Sequence, residues 1–492
     1  MIFEHEIEIW LPSEPSLSNY FAGFIPYNEW KCLSARCFNL QANHTDKEFY
    51  TQDTVCRNSL QPGVDLMWNT NRTSYATEWN LICANEDKAT NLESFFFLGA
   101  FIGVIPGSYL LDTVGRKAVI LTAILIASLA TLANAFINSY SVMLCLRIVQ
   151  GLASFLIQTG VQAMIMEFTP TKLRNVASIL TIFCWSIGIS LCVGLSYFLY
   201  SWRHIFFVTS IAIILTALPA LFCPESARFH LIKGKEAEAK RTFGRLAKLF
   251  NSPIALDNVE LDYSDYKQSY LKQIKDFAKY PTMTKNTVLL LLYYLVVSAH
   301  TYSLTYGWGK LGANLFTSQA LSIAAGCSVI FTGYQYLVTE RLGRKRALAV
   351  NTFLVTLLSL LAIPKVVLTE SWTLSQIMCL LSCPFNASCW MGVLLLAAEL
   401  APTSHRGIIV CLNTVSSRVG SFVGPYMTLL FNVLDIRIVI AIFSALPLLG
   451  VVLVLFCEDS TDKPIPSTPA EVRQARRVGK EEDDDSPLLC EE

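Results

Sequence analysis

Arg418 stands ten residues inside an apolar stretch that begins near residue 408, about 15 Å deep at 1.5 Å per helical residue. That depth is close to the midplane of a ~30 Å hydrocarbon core. Burying arginine there costs about 2.5–3.5 kcal/mol, so the side chain is expected to face a polar cavity. A guanidinium stays charged and can grip a carboxylate or sulfonate with two parallel hydrogen bonds. No mid-span carboxylate is evident as a structural partner, so Arg418 is expected to contact an anionic substrate or coupling anion. Trp185, Tyr293, Tyr294, Phe385 and Trp390 lie in apolar stretches and could line the same cavity, stacking on an organic solute or holding an ammonium group. Plain packing is the alternative for each of them. Arg147, near the outer end of its span, could snorkel or serve a structural role, the latter being favoured, and His300 is expected to be a satisfied core residue. No metal-ligand spacing, phosphate loop or nucleophile arrangement stands out, so neither an enzyme nor a cofactor is expected. A coupling ion such as sodium or a proton is left open.

A second chemistry is repeated. Asp112-Thr-Val-Gly115-Arg116-Lys117 returns as Glu340-Arg-Leu-Gly343-Arg344-Lys345, and Glu167-x-x-Pro-Thr-x-x-Arg174 returns as Glu399-x-x-Pro-Thr-x-x-Arg406. The offsets of 228 and 232 residues are too similar for chance and mark two homologous bundles in tandem. Glycine permits a tight turn, and an acid at a helix end can meet a nearby arginine or helix N-terminus. Both pairs of turns are therefore expected to latch helix ends, with Asp112 tied to Arg116 and the Glu167/Arg174 and Glu399/Arg406 turns doing similar work. Simple positive-inside anchoring is the alternative.

The elements that must carry these residues follow from composition. Hydrophobic residues are 53% of the chain and charged ones 15%, against roughly 25% charged in a soluble domain. Mean hydropathy is +0.44. Net charge is zero, so no bulk field recruits nucleic acid or acidic lipid. Crossing a bilayer takes ~20 apolar residues, and in lipid these must be helical. Eleven stretches qualify: 94–112, 118–137, 142–166, 177–199, 204–222, 287–307, 319–339, 347–364, 373–398, 408–431 and 438–457. Pro384 and Pro425 are expected to break two of them beside the cavity. The repeated basic turns fall in alternate connections, which places them and the lysine-rich insert 224–286 on the cytoplasmic face.

Residues 28–91 are polar and carry Cys32, Cys37, Cys56 and Cys83 with the acceptor sequences at Asn43 and Asn71. Together these suggest an extracellular loop with glycans and two disulfides, in any of three pairings. No signal peptide is visible, since Glu4, Glu6 and Glu8 occupy the place of a basic leader. The resulting division is 1–27, a degenerate or partial first helix; 28–91, the loop; 92–223, an N-terminal bundle; 224–286, a cytoplasmic insert of short amphipathic helices; 287–457, a C-terminal bundle; and 458–492, a disordered tail. The repeat predicts six spans before the insert, yet only five are apolar enough. In the tail, Asp484 to Leu488-Leu489 fits an acidic dileucine signal read by sorting adaptors.

From Phe24 to Cys457 the chain resembles the major facilitator superfamily and, within it, solute carrier family 22. The resemblance rests on Thr77-Glu78-Trp79-Asn80-Leu81-Ile82-Cys83, the Asp112…Lys117 turn, Pro224-Glu-Ser-x-Arg228, Ala398-Glu-Leu-x-Pro-Thr403…Arg406 and Ser417-Arg418-Val-Gly420…Pro425-Tyr426. It implies an all-α polytopic fold of two six-helix bundles related by pseudo-symmetry. The Ser-Arg-x-Gly stretch is most similar to the carnitine and organic-anion branches, which implies an anionic or zwitterionic substrate. The chain departs from the pattern at Ser108, in the neutral run Phe331-Thr-Gly-Tyr, at Cys457-Glu-Asp and over the N-terminus.

The expectation is a secondary active or facilitative transporter of small organic ions working by alternating access. It is expected first in the plasma membrane and second in endosomes or lysosomes. A non-transporting scaffold or receptor is the alternative, because the first helix of such folds lines the cavity. A sugar porter is a distant third.

Overall fold

A computed structural model describes residues 30–32, 66–68, 73–81, 85–169, 199–249, 279–307, 341–368, 372–402 and 405–460, with isolated positions in 177–198 and at 277, 334, 338 and 339. The first-helix region 1–27, the acceptors Asn43 and Asn71, Cys37, Cys56, Cys83, Trp185, Arg174, Glu340 and the tail beyond 460 lie outside the described residues.

The polar loop contributes strands β1 (Trp30–Cys32) and β2 (Leu66–Trp68), antiparallel with Trp30 opposite Trp68. These strands were not expected in an all-α chain. After them comes one helical turn, α1 (Tyr75–Glu78), closed at its start by a reciprocal cap between Ser74 and Thr77. The long helices are α2 (Glu86–Thr113), α3 (Arg116–Phe136), α4 (Tyr140–Phe168) and α5 (Trp202–Leu215), which continues past Thr216 as α6 (Ala217–Phe222). Two short helices, α7 (Ala227–Ile232) and α8 (Glu236–Leu249), form the described part of the insert. The second half holds α9 (Pro281–Gly307), α10 (Arg344–Leu368), α11 (Trp372–Leu400), α12 (Arg406–Met427) and α13 (Ile436–Leu455). Among the described residues seven helices are long and apolar enough to cross a membrane.

Several helices outrun the apolar stretches that announced them. α2 begins at Glu86, eight residues before 94, because Glu86 and Asp87 in its first turn favour the positive end of the helix dipole. Pro384 does not break α11, which runs unbroken through it. Pro425 instead lies three residues before α12 tightens into a 3₁₀ segment, Thr428–Asn432.

Each half has its own core. Ile120, Ile124, Ala153, Ile157 and Ile165 close the first, and Leu290, Tyr293, Leu348, Val393 and Val454 close the second. The halves meet along α2 and α12, where Ala100, Val104 and Phe155 pack against Cys411 and Val415.

At the end of the bundle that carries the Asp112–Lys117 turn (the motif end), Gly115 has φ +115° and Gly343 φ +78°. Both positions suit glycine and strain other residues. A Cβ on Gly115 would also lie 2.6 Å from a Glu225 carboxylate oxygen. That carboxylate accepts the backbone N–H of Arg116 at 3.0 Å and of Lys117 at 3.1 Å, capping α3.

At the opposite end, the motif that carried the family resemblance has a structural task. Glu78 accepts from Trp202 Nε1 at 2.7 Å and from Arg203 Nη2 at 2.5 Å, while the Thr73 backbone N–H donates to the Tyr200 carbonyl and its carbonyl accepts from the Trp202 N–H. Asn80 then turns the chain at φ 56°, a left-handed conformation that asparagine tolerates. The loop is thereby stapled to the head of α5. Burial alone would raise the Glu78 carboxyl, but the hydrogen bonds from Arg203 and Trp202, with Arg203's charge, hold it below its ordinary value of 4.5. A depressed carboxylate contributes stability that is complete above its unfolded value and fades as pH falls through the folded one. Glu78 is 36% exposed, so solvent screening limits the pair to ~1 kcal/mol or less. We expect Glu78→Gln to lower the melting temperature slightly at neutral pH and to flatten its decline in acid. An acid titration of thermal melting that runs parallel to the wild type would show that the staple does not depend on this charge.

Candidate functional site

α12 is seated on α9 by small residues. Ser417 and Ser421 are buried, and a Cβ added to Gly420 would lie 2.0 Å from Ser298 Oγ and 2.2 Å from the Leu295 carbonyl. Helix backbones approach this closely only where a side chain is missing. With that face committed to α9, Arg418 reaches the seam between the halves. It is 8% exposed, its guanidinium lies 5.7 Å from the Phe155 ring centre, and Nη2 donates to Gln158 Oε1 on α4. Among the described residues no carboxylate lies in ion-pair range of Arg418, and its Nε–H has no acceptor.

Aromatic residues stand near it on the second half. Tyr294 is near enough to feel Arg418's charge and meets Trp390 edge-on at 5.0 Å. Trp390 also meets Tyr302, and it donates Nε1–H to Thr301, which accepts Asn386 Nδ2 as well. Tyr302 in turn packs at 4.5 Å against Phe97 of the first half. Two other candidates point elsewhere. Tyr293 is fully buried in the second core with its hydroxyl 2.8 Å from Thr352, and Phe385 packs on Tyr334. Gln158, Phe155, Tyr302 and Asn386 were not singled out in the sequence. A polar residue deep in an apolar stretch was the signal that could have found Gln158.

Of the two roles open to Arg147, the structural one holds. Arg147 is fully buried, its guanidinium stacked 4.9 Å from Phe206 and 5.9 Å from Tyr75, and none of its nitrogens has a hydrogen-bond partner among the described residues. Glu93 on α2, buried at 6% exposure, lies within electrostatic reach of it. Glu93 accepts from the Tyr75 hydroxyl, so this carboxylate ties the loop helix to the first half. Nearby, Tyr426 donates to Asn91 at 2.6 Å and Asn432 to Glu86 at 2.9 Å, each from one half to the other. His300 Nδ1 is engaged by the Phe443 carbonyl in the core.

At the motif end the expected Asp112–Arg116 tie is joined by a second partner, while Arg174 lies outside the described residues. Arg116 reaches Asp112 at 3.0 Å and Glu167 at 3.3 Å, so the first repeated turn holds the second. Arg344 meets Glu399 at 2.9 Å in the same way. Glu399 also accepts from Ser460 at 2.7 Å. These ion pairs stay within one half.

Two homologous helical bundles, a seam lined by α2, α4, α9 and α12, and the paired acid–glycine–arginine turns agree with a family match over residues 84–425, described as Major Facilitator Superfamily. The chain belongs to the major facilitator superfamily. This facilitator is a multi-pass membrane protein. It is similar to human solute carrier family 22 member 2, 26% identical over 428 residues that cover 84% of this chain and 74% of the relative. It is also similar to human organic anion transporter 3, 25% identical over 423 residues that cover 83% and 76%. In fold it matches the inward-open xylose transporter XylE from E. coli, with a TM-score of 0.63 at 14% identity over 96% of this chain and 100% of that one.

Proposed function

We propose that this facilitator moves small organic anions or zwitterions across the membrane by alternating access, with Arg418 as the anion site. The observation that carries the reading is a buried guanidinium at the seam of the two halves with no described carboxylate to neutralise it. A cation kept there for structure alone would leave its burial cost unmatched. The relatives named for organic anions support the sign of the substrate. Tyr294, Tyr302 and Trp390 supply flat apolar surface for the organic body, and Tyr293 serves the core.

The basic turns put the motif end in the cytoplasm. Asn91–Tyr426 and Glu86–Asn432 then form an outer gate, closed in this state. The motif-end ion pairs hold each half rigid as it rocks. The test is uptake into proteoliposomes of carnitine, urate, succinate and tetraethylammonium by the purified full chain. Saturable uptake of one of the first three, and not of tetraethylammonium, is expected. Preference for the quaternary amine would reverse the charge assignment, and no saturable uptake of any would select the non-transporting alternative.

A further inference from the structure

Arg418 uses only one of its two side-on donors. Nη2 is engaged by Gln158 Oε1, while among the described residues the adjacent, buried Nε–H has no acceptor. These two coplanar N–H groups form the edge that a carboxylate grips with both oxygens at once. Gln158 belongs to α4 of the first half and Arg418 to α12 of the second, so their bond crosses the seam.

We propose that Gln158 is a displaceable stand-in for the substrate's carboxylate, which takes the Nε–Nη2 edge of Arg418 and releases this tie between the halves. The inference rests on Arg418 being the anion site. A neutral amide is suited to the role. It offers one oxygen, holds the guanidinium in position over Phe155, and leaves its charge uncompensated. A carboxylate offers two oxygens and a full charge, so it wins the edge when it arrives. The exchange replaces an interaction between the halves by one between substrate and the second half. Binding therefore acts differently on states that differ in the spacing of α4 and α12, which is the condition for a ligand to shift a conformational equilibrium.

Gln158 is thus a positioning residue and a built-in competitor. Removing the competitor must improve apparent affinity, whereas removing a merely structural residue must not. Kinetics of succinate and carnitine uptake would be measured for the purified full chain in liposomes. Gln158→Leu and Gln158→Met are expected to lower KM by roughly 3- to 10-fold, the scale of one ordinary net hydrogen bond, with kcat unchanged or reduced. Gln158→Glu installs a charged competitor and is expected to raise KM by at least about tenfold. If leucine impairs folding, methionine and glutamate carry the same opposed signs. A KM that rises in the aliphatic variants, or glutamate behaving like the wild type, would overturn the proposal. Uptake that depends on Arg418 yet ignores Gln158 overturns this inference alone. Uptake indifferent to Arg418→Ala, or no saturable uptake of either probe by the wild type, overturns the anion-site reading and this inference with it.

Discussion

Replacing Arg418 by alanine is expected to lower kcat/KM for anion uptake by roughly 30- to several thousand-fold, the equivalent of about 2–5 kcal/mol for one partner of a buried charged pair. The effect is large because the guanidinium is 8% exposed and, among the described residues, no carboxylate competes with the substrate for its charge. Arg418→Lys keeps the charge and loses the two-toothed edge, so a milder loss of around tenfold is expected. The order wild type, lysine, alanine is itself diagnostic, because a site that needed only positive charge would not separate the first two. Kinetics normalised to protein in the membrane decide it. Wild-type kinetics in Arg418→Ala would remove the anion site from this residue.

Arg116→Ala is the substitution with the largest expected effect on stability. Arg116 is 6% exposed and serves Asp112, Glu167 and the Leu111 carbonyl at 3.2 Å. Its two acidic partners are not equivalent. Asp112 is 45% exposed and can turn to water, whereas Glu167 is 10% exposed and would be left as an uncompensated buried charge. Breaking a buried pair from one side costs about 3–5 kcal/mol, against ~1 kcal/mol or less for an exposed one. Asp112→Ala should therefore be mild and Arg116→Ala severe, and Arg116→Ala combined with Glu167→Gln should recover much of the loss. Melting temperatures of the four proteins in detergent form a double-mutant cycle. Additive effects of the Arg116 and Glu167 changes would show that the two turns are not coupled.

The Arg116 pairing also marks where the sequence stopped being legible. The duplication exposed both turns, and the spacing of acid, glycine and arginine suggested that each closed on itself. Glu167 lies 51 residues from Arg116, and no local rule connects them. The Thr77–Asn80 motif was readable only as a resemblance. Its physical content, a carboxylate holding Trp202 and Arg203, needed residues 124 and 125 positions away to be in place. Glu93 was missed because it sits at the border of an apolar stretch, where a charge is expected to face water. The loop helix carrying Tyr75 covers it instead.

The sequence by itself determined which stretches must be helices, that they come in two related sets, and that Arg418 stands ten residues inside one of them. Those conclusions follow from the thickness of hydrocarbon and from backbone groups that have no partner in lipid, conditions each segment meets alone. Only the tertiary structure decided which way each helix faces. Tyr293 and Tyr294 are neighbours in the chain, yet one is bonded to Thr352 and the other meets Trp390 edge-on. A helix turns about 100° per residue, and in a membrane span both the lipid face and the packed face are apolar, so hydrophobic periodicity does not fix that rotation. It is fixed by close approaches such as Gly420 on α9. These set Arg418 opposite Gln158, 260 residues away.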